Sequence, residues 1–269
     1  MNTTISPGAG PAVVAGAPRR VVARSTVKLV VTEAKLFVRE PVSAFFSVLF
    51  PVILILVLGA AIPSFTEPSP DIGGRLPIEF YLPVTLALAI ATVALVGLLS
   101  TLTAYREKGV LRRLSTTPVS PIRLLAAQLV VNLAALVVGC GLTVLGTWLA
   151  FGLAVRPNVA GLLLAFLLGS TAMVAVALLI AAVSPTSRTS MAIGSLVYYP
   201  LLFAAGVWTP GPLMPDAVRR VADFTPLGAA SQALQDAWAG DWPRPLHLAV
   251  LAGFTALLGG LAARLFRWT

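Results

Sequence analysis

From about residue 42 onward, long apolar runs alternate with short polar ones. Six runs, at about 42–62, 80–103, 124–149, 160–183, 190–208 and 246–263, approach or exceed the ~20 residues a helix needs to cross ~30 Å of hydrocarbon. None of the six contains Lys, Arg, Asp or Glu, each of which costs about 2.5–3.5 kcal/mol at the centre of a span. The pattern predicts an all-α polytopic membrane protein with six transmembrane helices. Composition strengthens this. Of 269 residues 58% are hydrophobic and 11% charged, against ~25% charged in a soluble domain. The net charge of +9 is no mark of nucleic-acid binding, because the basic residues sit in short segments between apolar runs.

Those basic residues orient the chain. With the N-terminus inside, fourteen Lys and Arg fall on the inner side and five (Arg75, Arg156, Arg219, Arg220, Arg244) on the outer. This nearly threefold bias predicts both termini in the cytoplasm. All five tryptophans, Trp148, Trp208, Trp238, Trp242 and Trp268, lie at span ends or in adjoining loops, as an aromatic belt requires. The lone Cys140 lies in an apolar run and reads as a small core residue.

Residues 1–23 read as a disordered cytoplasmic tail rich in Ala, Gly and Pro, without the order of a signal peptide. Residues 24–41 have helical period. Arg24, Lys28, Lys35 and Arg39 share one face, and Val27, Val30, Ala34, Phe37 and Val38 make the other. This predicts an amphipathic interfacial helix, either a plain anchor on the inner leaflet or a lever touching a cytoplasmic partner. Residues 42–269 form the six-helix transmembrane domain.

Two further polar segments carry detail. In YREKGVLRRLSTTPVSPIRLLAAQ, residues 105–128, Val110, Leu111 and Leu114 form an apolar stripe opposite Arg112 and Arg113, before Pro118 and Pro121 stop the helix. It reads equally as a docking element or as a positive-inside anchor. Outside, residues 209–245 hold two short helical stretches, about Asp216–Phe224 and Pro226–Ala239, separated at Thr225-Pro226. Their apolar faces predict segments lying against the membrane, or dipping into it, that cap the outer end of the bundle. Gly253, Ala256, Gly260 and Ala263 make a small-residue stripe that predicts close helix packing. Tyr198 and Tyr199, beside Pro200, are structural or line a substrate path. His247 is interfacial rather than catalytic.

The chain lacks catalytic equipment. It has no P-loop, no H-E-x-x-H and only one histidine, so it cannot cradle a nucleotide in that way or build most hydrolytic sites. Ion-coupled carriers keep ionisable groups within the bilayer, and here the spans have none. A chain that moves a substrate would therefore draw its energy from another subunit; the alternative is a non-transport scaffold or anchor of an envelope complex.

Three stretches resemble the permease subunit of type-2 ABC exporters, the group that includes daunorubicin-resistance-like drug exporters and nodulation-factor or polysaccharide exporters. The first is REPVSAFFSVLFPVILILVLG, residues 39–59. The second is REKGVLRRLSTTPVSPIRLLAAQLV, residues 106–130, where Glu107, Gly109, Leu114, Pro118 and Val119 fall on motif positions. The third is LLFAAGVWTPGPLMPDAVRRVADFTPLGAASQAL, residues 201–234, similar to an outer re-entrant segment, with Gly206, Pro215, Pro226 and Leu227 matching. Ala205 departs where serine is common, and Gln235-Asp236 where a basic residue often ends the segment. The resemblance implies a coupling helix at 105–117, including Arg106, seated on a separate P-loop ATPase. It implies two permease chains, alike or different, with two ATPase chains in a bacterial cytoplasmic membrane. It also implies ATP and magnesium bound by the partner and no cofactor on this chain. The expected cargo is an amphipathic drug, lipid or glycoconjugate, as in multidrug efflux.

Overall fold

A computed structural model describes residues 19–72, 74–107, 109, 121–152, 156–209 and 214–265. The described residues are helical throughout apart from turns, short 3-10 segments and one isolated bridge, Ser69 to Arg75. Helix α1 spans Arg19–Arg39, so the last residues of the expected 1–23 tail are helical. The remaining tail lies outside the described residues. Helix α2 runs as Pro41–Ala44, a π-turn Phe45–Leu49 and Phe50–Ala61. Helix α3, Pro77–Glu107, carries a second π-turn at Val93–Leu98. Then follow α4 (Pro121–Phe151), α5 (Val159–Val183), α6 (Ser187–Ala204), α7 (Asp216–Ala222), α8 (Pro226–Trp238) and α9 (Pro245–Leu265).

Four described helices are long and apolar enough to cross a bilayer: Pro77–Glu107, Ala126–Phe151, Val159–Val183 and Pro245–Leu265. The apolar helix Phe45–Ala61 is shorter. Helix α6 covers most of the expected 190–208 run, but begins with the polar SRTS and holds two tyrosines.

Helix starts follow local chemistry. Asn158, Thr186 and Thr225 cap α5, α6 and α8, each accepting a hydrogen bond from the N–H three residues on, at 3.0, 3.2 and 3.1 Å. Pro77 and Pro226 sit in first turns, where a missing N–H costs nothing.

Helix α3 is the spine. From Leu82 to Leu95 every residue is buried, against α2, α4, α5, α6 and α8. Helix α8, expected to lie against the membrane or dip into it and cap the bundle, is buried on nearly all sides among α3, α5, α6 and α9. Its composition explains the burial. Gly228, Ala229, Ala230, Ser231, Ala233 and Ala237 give it a thin cross-section, and Gly169 of α5 lets Ala230 in so closely that a Cβ there would lie 2.9 Å from it. Trp238 ends α8 at 5% exposure, so it is a core residue and not part of an aromatic belt. Trp148, Trp208 and Trp242 are exposed, and Trp268 lies outside the described residues.

The stripe expected to pack α9 faces away from the rest of the chain. A Cβ on Gly253 or Gly260 would meet nothing, and Ala256 and Ala263 are exposed. Helix α9 meets α5 and α8 through its other side, with Leu251, Phe254 and Leu258 packed into the core clusters. Small residues were an incomplete guide because branched ones supply the larger contact.

One contact fixes α2 on α4. Pro51 has no N–H to give to the carbonyl of Ser47, four residues back, and the backbone relieves the mismatch with the π-turn ending there. The Ser47 carbonyl oxygen then lies only 2.6 Å from where a Cβ on Gly139 would stand. One face further along α4, Gly146 has side-chain neighbours at an ordinary 3.6 and 3.8 Å. Gly139→Ala should therefore cost about 1–3 kcal/mol by overpacking and lower the melting temperature of the purified chain, while Gly146→Ala leaves it unchanged or raises it. Equal melting of both variants would contradict this packing.

Candidate functional site

At the end of the bundle where α3 stops, two consecutive side chains hold the turn between α5 and α6. Helix termini leave carbonyls at one end and N–H groups at the other without helical partners. The Arg106 guanidinium donates to the carbonyls of Ala181 (2.9 Å), Ser184 and Pro185 (3.0 Å), at and just past the C-terminus of α5. The Glu107 carboxylate accepts from the Ser187 N–H at 2.6 Å, the first residue of α6. A cation thus meets the negative end of one helix dipole, and an anion the positive end of the next. Gly109 closes α3, its N–H donating to the Arg106 carbonyl at 3.1 Å with φ at +65°, a conformation that favours glycine. Val110, Leu111, Leu114 and Pro118, expected in the same coupling element, lie outside the described residues. The structure brings Arg106, Glu107 and Gly109 together at the stem of that element.

Immediately before Arg106 on α3, Tyr105 points to α1. Its hydroxyl lies 3.3 Å from the Glu33 carboxylate, and the Gln128 amide of α4 is 3.5 Å from the same group. Glu33 is 7% exposed. With Glu40, Thr101 and Asn132 these residues line a cavity of about 30 Å³, room for a water or two. The Oε1 of Gln128 is buried there with no protein partner. Burial raises the Glu33 carboxyl above its ordinary value of 4.5, and the charge of Glu40 adds to the rise; the hydrogen bonds from Gln128 and Tyr105 oppose it but are long and weak.

Of the apolar face expected on the interfacial helix α1, Val27 and Val38 are 63% and 73% exposed. The helix docks on α4 through a face centred on Glu33, with Val30, Ala34 and Phe37 half-buried beside it. Lys28, Lys35 and Arg39 are exposed as expected. Glu33 escaped notice because a lone acid among basic neighbours reads as a solvated charge; only its spacing from Val30 and Phe37 marks the face.

The remaining candidate residues lie elsewhere. Tyr198 is half-buried on α6, its hydroxyl 2.9 Å from Thr92 Oγ1 on α3, one residue before the π-turn. Tyr199 stacks edge-on against it at 5.5 Å and is exposed. Gly206 adopts φ +85° just past α6. Pro215 precedes α7, and Pro226 and Leu227 are buried in the first turn of α8. Ser231 of α8 donates to the Ala205 carbonyl at 2.7 Å, tying the outer segment to α6. His247, expected at the interface, is 1% exposed. Its Nε2 lies 3.2 Å from Asp223 Oδ1 and its Nδ1 3.7 Å from Asp236 Oδ2, so the start of α9 is held by the turn after α7 and by α8. Among the described residues no group of three or more His, Cys, Asp or Glu is placed to hold a metal ion.

The sequence profile of the ABC-2 type transporter family matches residues 25–237. The chain is also 30% identical over 249 residues to the daunorubicin resistance ABC transporter permease protein DrrB1 of Streptomyces coeruleorubidus, covering 86% of this chain and 82% of that protein.

Because the Glu33 pKa is raised in the folded state, its protonated form is the one the fold favours. The stability this brings is complete below about pH 4.5 and is lost as the pH rises through the raised value. Glu33→Gln, which keeps shape without charge, should melt at a higher temperature than the wild type at pH 7, with the gap closing towards pH 4. A gap that instead opened on acidification would refute the assignment.

Proposed function

The chain belongs to the ABC-2 type transporter family, and on that footing we propose that it forms the translocation path of an ATP-driven exporter powered by a separate P-loop ATPase. It is a multi-pass membrane subunit. In our reading it crosses the membrane six times, at about 42–62, 80–103, 124–149, 160–183, 190–208 and 246–263, with both termini in the cytoplasm of a bacterium. The working complex holds two such chains, alike or different, and two ATPase chains that bind ATP and magnesium. The cargo is an amphipathic drug, lipid or glycoconjugate, a class that matches the apolar spans.

The observation that carries the reading is the stitching by Arg106 and Glu107. A coupling helix at 105–117 seated on the ATPase would transmit little force through a flexible connection. Here its stem is bonded to the end of α5 and the start of α6, so a push at the loop reaches α3, α5 and α6 together. Tyr105 extends the same stem to Glu33 on the interfacial helix. The π-turn in α3, beside the Tyr198 to Thr92 hydrogen bond, is a natural place for the spine to flex. Arg106, Glu107, Gly109, Val110, Leu111, Leu114 and Pro118 are the residues assigned to coupling. Lys28, Lys35 and Arg39 hold α1 to the inner leaflet. Tyr199, exposed on α6, faces the path.

With the cognate ATPase co-expressed, Glu107→Lys should reduce efflux by at least about tenfold, the scale of one lost charge-assisted hydrogen bond, while the chain remains inserted and bound to its partner. Leu114→Asp should do the same by weakening the docked surface itself. Normal efflux in either variant would remove the coupling assignment.

A further inference from the structure

At the end of the bundle opposite Arg106, a cavity of about 410 Å³ opens between the loop before α3, α7, α8 and the segment leading into α9. Its size suits a small ligand. Its walls carry both signs of charge. Three guanidiniums come from three separate elements: Arg75, Arg219 and Arg244. Two carboxylates, Asp223 and Asp236, line it with Gln232 and Gln235.

The charges are held in place. Arg75 bonds Glu79 at 3.2 Å and lies 4.5 Å over the Phe80 ring. Arg219 bonds Asp216 at 2.5 Å. Asp236 accepts from the Arg244 N–H at 3.3 Å, and its carboxylate lies 3.8 Å from that guanidinium. Buried His247 fixes Asp223 from behind. Each guanidinium has five donors, so those not used in these pairs remain for a ligand. Asp223 reaches His247 through Oδ1, which leaves Oδ2 to face a ligand.

This mixture selects the ligand. A bare anion would meet two carboxylates, and a bare cation three guanidiniums. A group with an anion and a cation a few bonds apart satisfies both walls. The cavity also lies beside the first turns of α3 and α9, two helices long and apolar enough to cross a bilayer, which places it at head-group depth. Exposed Phe224 and Trp242 flank it in the chain, the residue types that sit in the interfacial layer.

We propose that this cavity binds the zwitterionic head group of an aminophospholipid of the phosphoethanolamine type. The phosphate takes the free donors of Arg75, Arg219 and Arg244. The primary ammonium takes Asp223 and Asp236, which a quaternary ammonium, having no N–H, cannot do. The proposal is independent of the coupling assignment and of the cargo.

The test uses the full-length chain purified in detergent and titrated, by native mass spectrometry, with phosphatidylethanolamine, phosphatidylcholine and phosphatidylglycerol of identical acyl chains. Phosphatidylethanolamine should bind at least about tenfold more tightly than the other two. Arg219→Gln and Asp223→Asn should each remove that preference. Gln232→Leu, which touches no ion pair, should weaken phosphatidylethanolamine binding without changing the melting temperature, so that loss of fold is separated from loss of site. Competition by soluble glycerophosphoethanolamine would show that the head group suffices. Retention of the lipid without such competition would make the acyl chains part of the ligand. Equal binding of the three lipids, preference for phosphatidylglycerol, or an undiminished preference in Arg219→Gln would overturn the proposal.

Discussion

Helix ends are the costly part of a helical bundle, because each leaves backbone groups that the helix itself cannot satisfy. The α5–α6 turn concentrates the problem: a helix of 25 residues ends at Val183 and another starts at Ser187. Arg106 and Glu107 answer both ends from a third helix, one taking carbonyls and the other an N–H. That solution ties three helices at one point, so that a displacement there reaches all three.

The rest of the packing follows from what α3 needs. A buried helix wants neighbours that approach closely, and α8 supplies one in which six of thirteen residues are glycine, alanine or serine. Where α3 meets α6, Gly194 leaves room for Leu99 and Thr92 finds the Tyr198 hydroxyl. The hydroxyls of Ser100 and Thr101 fold back onto the Gly97 carbonyl at 2.8 and 2.9 Å, at the end of the π-turn. Polar side chains inside the spine are thus spent on its own backbone.

Much of this architecture was legible from the alternation of apolar and polar runs, since charge-free stretches of that length have few other uses. The extent of α4, α5 and α9 follows directly. The failures share a cause. Trp238 and the α9 stripe were judged from residue type at a helical position, and type does not say which neighbour a face will meet. Glu33 and His247 were missed because their partners, Tyr105 with Gln128 and Asp223 with Asp236, are remote in sequence. A buried ionisable group becomes visible only with its partners, and a hydropathy profile treats it as one polar letter. The Arg106-Glu107 pair was singled out through the family motif, and physics alone left its segment evenly between a docking element and an anchor; its bonds to residues about 75 to 80 positions away are beyond any local pattern.

The two ends of the bundle also differ in how they hold charge. At the α3 terminus the charged groups are committed to backbone ends and to one half-solvated cavity, so their removal unties the helix ends they hold. At the opposite end the charges pair with one another across α7, α8 and the start of α9, with His247 as the buried centre. Pairing between side chains can be exchanged for pairing with a ligand, whereas a bond to a helix terminus has no cheap substitute. A bundle built this way is stiff where α3 is stitched to its neighbours and adaptable where it meets the far surface. Displacement of the stitched end would therefore arrive at the other as a rearrangement of ion pairs, carried by a spine whose interior has no charge to resist it.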